Sequence, residues 1–364
     1  MGKTTEIAWC DSTWSPIRAR VKMDAPSIAK EKGYTSLVQI AEKMAGRVGA
    51  HCEHVSPGCE NCYAETNNHR CLPANGTGLP YDRRSRDLVE AFVDEKVLLQ
   101  PLKWGELPPA PRRIFVENQS DLFGEWVTDA MRDRVFAMMT LCWWHDFQVL
   151  TKRPEQMLEY CASDALLARL LRAVDAISNF LGGRAVFTYP EQIDDGLTGV
   201  RLRNAWLGVS DEGNQHQRID ILRQVPAAVR FVSFEPLLFD PGTVDLSGID
   251  WVICGGESGP GARPMHPDWA RALRDQCKVT DTAFFFKQWG EWAPWAPDDY
   301  REPKGTQAVN LDGSMTWFAG FDGQLTNWLT NWSDSAQAIT RVGRKAAGAL
   351  LDGIEHKAFP AVRE

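Results

Sequence analysis

Along this chain, short runs of β-branched and aromatic residues alternate with longer stretches whose apolar residues recur at helical spacing. The runs at 5–10, 88–93, 113–117, 147–151, 205–209, 230–234, 250–254 and 283–287 predict strands. Stretches 128–141, 154–171, 214–224 and 267–278 predict helices, the last opening on a proline at the favourable first turn. Strand–helix alternation marks βαβ units around a parallel sheet. Eight runs match the strand count of a closed barrel, so the expected fold is α/β, a (β/α)8-like or partial TIM-type barrel, with a doubly wound open sheet as the alternative.

Two segments break the rhythm, at about 17–50 and 180–203. The first reads as an insertion with one amphipathic helix around 36–44, and either segment can serve as a lid. From Trp292 onward the chain turns to Trp, Pro, Asp and Gly, with a hairpin turn at Leu311-Asp312-Gly313 and a closing helix over 340–351. The expected domains are therefore a barrel over 1–291 and a C-terminal extension over 292–364 packed on it.

Polar residues cluster where the predicted strands end. Ser120 and Asp121 follow the third run, Lys152 and Arg153 the fourth, Ser210 the fifth and Glu235 the sixth; Gly255, Gly256, Glu257 and Ser258 follow the seventh, and Lys287 closes the eighth. In a barrel these ends open on one face, where catalytic groups gather. The plainer account is that loops are polar because they are exposed.

With 364 residues, 44% hydrophobic and 24% charged, the composition is that of an ordinary globular protein. No stretch approaches the roughly 18 apolar residues of a membrane span, and residues 1–7 lack the apolar core of a secretory signal. A cytoplasmic protein without a membrane partner is expected. There, nine cysteines are poor candidates for a disulfide framework. A net charge of −8 argues against nonspecific coating of nucleic acid, which depends on neutralised phosphates.

The most informative stretch runs from His51 to Glu65, where Cys52, Cys59 and Cys62 form a C-x6-C-x2-C array around a Pro57-Gly58 turn. A C-x2-C pair points two thiolates at one metal centre, and the longer arm folds back to add a third. Thiolates suit zinc or iron–sulfur far better than hard cations. A structural zinc site needs a fourth ligand, which Cys71, His54, His51 or His69 can supply; an iron–sulfur cluster on three cysteines keeps one open position.

These cysteines, with Thr5-Glu6-Ile7-Ala8-Trp9, Phe147-Gln148-Val149-Leu150-Thr151-Lys152-Arg153-Pro154, Phe234-Glu235-Pro236-Leu237 and Gly255-Gly256-Glu257-Ser258-Gly259, resemble a phage and prophage family of radical S-adenosylmethionine-like proteins. The resemblance extends over nearly the whole chain. It implies a [4Fe-4S] cluster on Cys52, Cys59 and Cys62 whose open iron binds S-adenosylmethionine. It further implies an external one-electron donor of flavodoxin or ferredoxin type, and a nucleotide or DNA substrate such as a hypermodified thymidine. The chain departs from the usual C-x3-C-x2-C spacing by three residues in the first gap. On this reading Lys152, Glu235, Glu257 and Lys287 are candidate catalytic groups. Ser120, Asp121, Arg153, Ser210, Gly255, Gly256 and Ser258 are candidate cofactor contacts. Ser and Asp also cap helices, and glycine pairs also mark turns. The alternative function is a zinc-stabilised nucleic-acid-binding or interaction protein without radical chemistry.

Overall fold

A computed structural model of the chain describes residues 5–70, 76–104, 111–182, 193–194, 199–294, 306–309, 315–317 and 337–361. They divide into two compact units: residues up to 209 with 220–230, and 210–219 with 231–361.

The first unit contains β1 (Ser12–Trp14), β2 (Ile17–Val21), α1 (Ala25–Glu31), α2 (Thr35–Met44), β3 (Val48–Gly49), α3 (Tyr63–Arg70), α4 (Arg83–Leu88), β4 (Val89–Val93), α5 (Glu95–Leu98) and β5 (Arg113–Val116). It continues with α6 (Asp129–Leu141), β6 (Asp146–Thr151), α7 (Pro154–Cys161), α8 (Leu166–Phe180), the short pair β7 (Ile193–Asp194) and β8 (Arg201–Leu202), and β9 (Ala205–Ser210). Strands β1, β5, β6 and β9 pair parallel in that order. Parallel strands covered on both faces carry continuous apolar runs, and β9 is buried at every residue. Helix α6 begins where the Thr128 side chain accepts a hydrogen bond from Met131 N, with Asp129 complementing the helix dipole.

The second unit holds β11 (Trp251–Gly255), α10 (Pro267–Val279) and β12 (Ala283–Gln288), while the division between the units falls within α9 (Gln217–Leu222) and β10 (Val229–Phe234). Strands β10, β11 and β12 are parallel, with Phe231 opposite Trp251 and Trp251 opposite Ala283. Beyond them lie β13 (Trp292–Pro294), β14 (Thr306–Val309), β15 (Met315–Trp317), β16 (Gln337–Arg341), α11 (Arg344–Ala347), β17 (Leu350–Leu351) and β18 (Ile354–Glu355). Strands β13, β16, β14 and β15 form an antiparallel sheet. The protein is thus a mixed α/β fold with parallel strands and helices in alternation. Among the described residues no helix is long and apolar enough to cross a membrane.

Several expectations change. Residues 5–10 form bends and a turn, Cys10 N bonding Ile7 O, and the strand begins at Ser12. Trp9 is nevertheless buried, its ring 4.6 Å from Phe115. The run at 88–93 is a strand, but it pairs antiparallel with β2 in a separate sheet, β3-β2-β4. That sheet, α1, α2 and α4 share a separate apolar cluster, including Val21, Ala29, Leu37 and Leu88. The helix expected over 154–171 is two helices, broken around Ser163, whose carbonyl accepts Leu166 N. No continuous helix spans 340–351, because Gly343 at φ 86° and Gly348 at φ 71° take left-handed backbone on either side of α11. The Leu311-Asp312-Gly313 turn, most of 180–203 and Cys71 lie outside the described residues.

Candidate metal centre

The cysteine loop leaves β3 and is shaped by local hydrogen bonds. Pro57 opens a 3₁₀ turn ending at Cys59; Cys59 N bonds Ser56 O at 2.9 Å, and Cys62 N bonds Cys59 O at 3.3 Å. Cys62 immediately precedes α3, and the backbone N–H groups of Glu65 and Ala64 donate toward it. Burial pushes the Cys62 thiol up, and those donors pull it back. Cys52 and Cys62 pack on one small cluster formed by Ala50, Ala64 and Tyr81. All three cysteines are free and partly exposed. Burial also pushes the Cys52 thiol up, with Asp121 acting in the same direction and Arg153 opposing. Cys62 and Cys59 add to that rise. Among the described residues no three His, Cys, Asp or Glu side chains are gathered as ligands of a single metal ion.

The loop following β5 clasps this segment from the side. Ser120 Oγ donates to His51 O at 2.6 Å, Tyr81 Oη to Gln119 O at 2.8 Å and Tyr63 Oη to Asn118 O at 2.6 Å. The tip of β6 holds it from another. Lys152 Nζ donates to Ser56 Oγ at 3.0 Å, and buried Arg153 reaches both Asp121 Oδ2 at 2.9 Å and Glu53 O at 3.1 Å. Arg153 also lies 4.9 Å over the Trp126 ring. Asp121 accepts in addition from Thr151 Oγ1 at 2.7 Å and Phe123 N at 3.0 Å. Glu53 is gripped by Arg86, which donates to its Oε2 at 2.6 Å and to Glu125. Burial works against the charged form of Glu53, yet hydrogen bonds from His51 and Arg86 hold it at about 2.

The first unit therefore brings Cys52, Cys59, Cys62, Ser120, Asp121, Lys152 and Arg153 together. Ser120 and Arg153 bond the cysteine loop directly, and Asp121 acts on it through Arg153.

The second unit, to which Ser210 at the end of β9 already belongs, holds the remaining candidates at strand ends. Ser210 Oγ faces Glu235 O at 3.5 Å. Glu235 pairs with Lys287 from β12. Between these strands Gly255 supplies no side chain, and a Cβ there would already touch Glu235 Oε1 and Lys287 Cβ, each at 3.5 Å. Gly256 is required sterically, because a Cβ would lie 2.0 Å from Trp289 O. It donates to Gln288 O at 2.9 Å, while Glu257 O accepts Glu291 N, so the glycine pair lets two backbones run side by side. The Glu257 carboxylate is buried against Arg263, which donates at 2.6 to 2.9 Å from its backbone N, Nε and Nη2. Ser258 Oγ accepts from Gln288 Nε2 at 2.8 Å.

Glu117 escaped the sequence reading. It follows β5 with φ 55°, is buried, accepts Ile17 N at 2.7 Å on Oε1 and leaves Oε2 without a hydrogen bond. Its only sequence signal is an acid directly after a strand. Glu53, Arg86 and Trp126 were also missed, since their partners are far away in sequence.

A family model described as a protein of unknown function, DUF5131, matches residues 42–360, more than half of the chain. The chain belongs to that family. No curated protein and no solved structure matches.

Proposed function

We propose that this chain is a radical S-adenosylmethionine enzyme, with the partial-barrel fold that goes with that class, acting on a DNA base or related nucleotide. The observation that carries the reading is the loop on which three free thiols sit, fastened by Ser120, Lys152 and Arg153 at two strand tips. Cys52, Cys59 and Cys62 would hold a [4Fe-4S] cluster. Thiolates are the natural donors for such a cluster. When bound, and given one electron from a flavodoxin- or ferredoxin-type donor, the cluster would cleave S-adenosylmethionine to methionine and a 5′-deoxyadenosyl radical that takes hydrogen from substrate.

The chain's own residues have assigned tasks in this reading. Arg153 at Cys52, and the Ala64 and Glu65 N–H groups in the first turn of α3 at Cys62, oppose the rise that burial imposes and so favour thiolate. Lys152, tethered at Ser56, offers a cation beside the loop for a carboxylate or phosphate. Glu235 and Lys287 form an ion pair that offers a carboxylate and an ammonium to polar groups of a ligand, with Ser210 and the Gly255-Gly256 backbone beside them.

Anaerobic purification and reconstitution test the proposal. About four irons per chain and reductive cleavage of S-adenosylmethionine are expected. About one tightly held zinc, with no iron after reconstitution, would replace it by the zinc-stabilised interaction protein.

A further inference from the structure

Strands β2 and β3 of the insertion, with β4, build a sheet with two unlike faces. Along β2, Ile17, Ala19 and Val21 point inward and are buried, with Ala19 and Val21 in the cluster around α1 and α2. Arg18 and Arg20 point outward, and Lys22 follows one step beyond the strand. Cross-strand partners share a face, so Phe92 beside Arg18, and Glu90 and Val48 beside Arg20, belong to this outward side. The exposed Arg20 guanidinium lies 4.5 Å over the Phe92 ring, an arrangement that presents a flat cation to solvent. Arg18 and Lys22 are anchored through Gly49 O and Asp87 O. Residues two apart on a strand repeat every ~7 Å, which suits successive phosphates of an extended polymer. Glu90 is the one carboxylate within these three strands.

The row is continuous with the candidate centre. Ile17 N bonds Glu117 at the β5 tip, and the Arg18 charge acts on that same carboxyl. The loop following Glu117 is the one that clasps the cysteine segment. A cationic path thus leaves the site along β2, on a chain whose net charge of −8 otherwise repels polyanions.

We propose that the outward face of β3-β2-β4 binds single-stranded DNA, with phosphates along Arg18, Arg20 and Lys22 and a base stacked on the Arg20 guanidinium. The identification of the strand as DNA rests on the reading above. A single strand fits because a duplex hides its base faces, and chemistry on a base needs it out of the stack.

Fluorescence anisotropy of the full chain with a labelled oligodeoxythymidylate tests this, with duplex DNA and an RNA of matching length as comparators. The single-stranded DNA is expected to bind most tightly. Arg20→Glu should weaken it about tenfold and flatten the salt dependence by somewhat under one unit of slope, while Arg20→Lys keeps most of the affinity. Circular dichroism checks that both variants are folded, as the exposure of Arg20 implies. No binding by the unaltered chain, equal binding by Arg20→Glu, or tighter binding of duplex or RNA overturns the proposal. Iron content and S-adenosylmethionine cleavage report separately on the enzyme reading. Arg20-dependent DNA binding without iron would overturn only that reading, and iron with cleavage but no DNA binding would overturn only this one.

Discussion

Glu117 shows what a single buried group does to the pH response. Burial pushes its carboxyl up to about 8, with Asp121 adding and the Ile17 N–H and Arg18 opposing. Since the folded chain binds this proton more tightly than the unfolded chain, the contribution to stability is complete below the ordinary glutamate value of 4.5. It is lost as pH rises toward about 8. Glu117→Gln keeps an acceptor for Ile17 N and cannot ionise. Melting curves across that window should show the unaltered chain losing stability relative to the variant; parallel curves would refute the assignment. The cysteines were legible because their signal is a spacing within eleven residues. Glu117 was not, because burial and an unmatched oxygen are properties of the folded chain alone.

At the level of elements, the buried Arg153–Asp121 pair joins the β5 tip, the β6 tip and the cysteine loop. Removing one member of a buried pair strands the other charge. Arg153→Met should therefore cost about 3–5 kcal/mol in chemical denaturation and lower iron uptake on reconstitution. Adding Asp121→Asn should recover part of that loss, making the double variant less destabilised than the sum. If the two costs simply add, the pair does not act as a clamp. Most parallel strands were legible as apolar runs bounded by polar ends, because burial on both faces leaves a strong compositional mark. The identity of β4 as a strand was legible too, but its antiparallel pairing was not. Alternation reveals which residues face inward and leaves open which strand lies alongside. The break between α7 and α8 turned on local bonding at Ser163, too small a signal within an otherwise helical pattern.

For the whole molecule, the functional candidates separate into two groups that follow the two compact units, a division no linear motif encodes. The first group owns the thiols, and this makes metal loading a stability measurement as well as a chemical one. A group that binds only the folded chain stabilises it, and metal binding to ordered thiolates is coupled to folding. Iron-loaded protein should therefore melt at a higher temperature than the same protein stripped by a chelator. On the proposed reading Cys59→Ala should lose both the iron and the chelator-sensitive difference, since Cys59 anchors the turn between the other two cysteines. Cys71→Ala should keep both, because a three-thiolate cluster needs no fourth cysteine. Loss of metal from both variants would mean that Cys71 completes a closed four-ligand site, and the open coordination position on which radical chemistry depends would be gone.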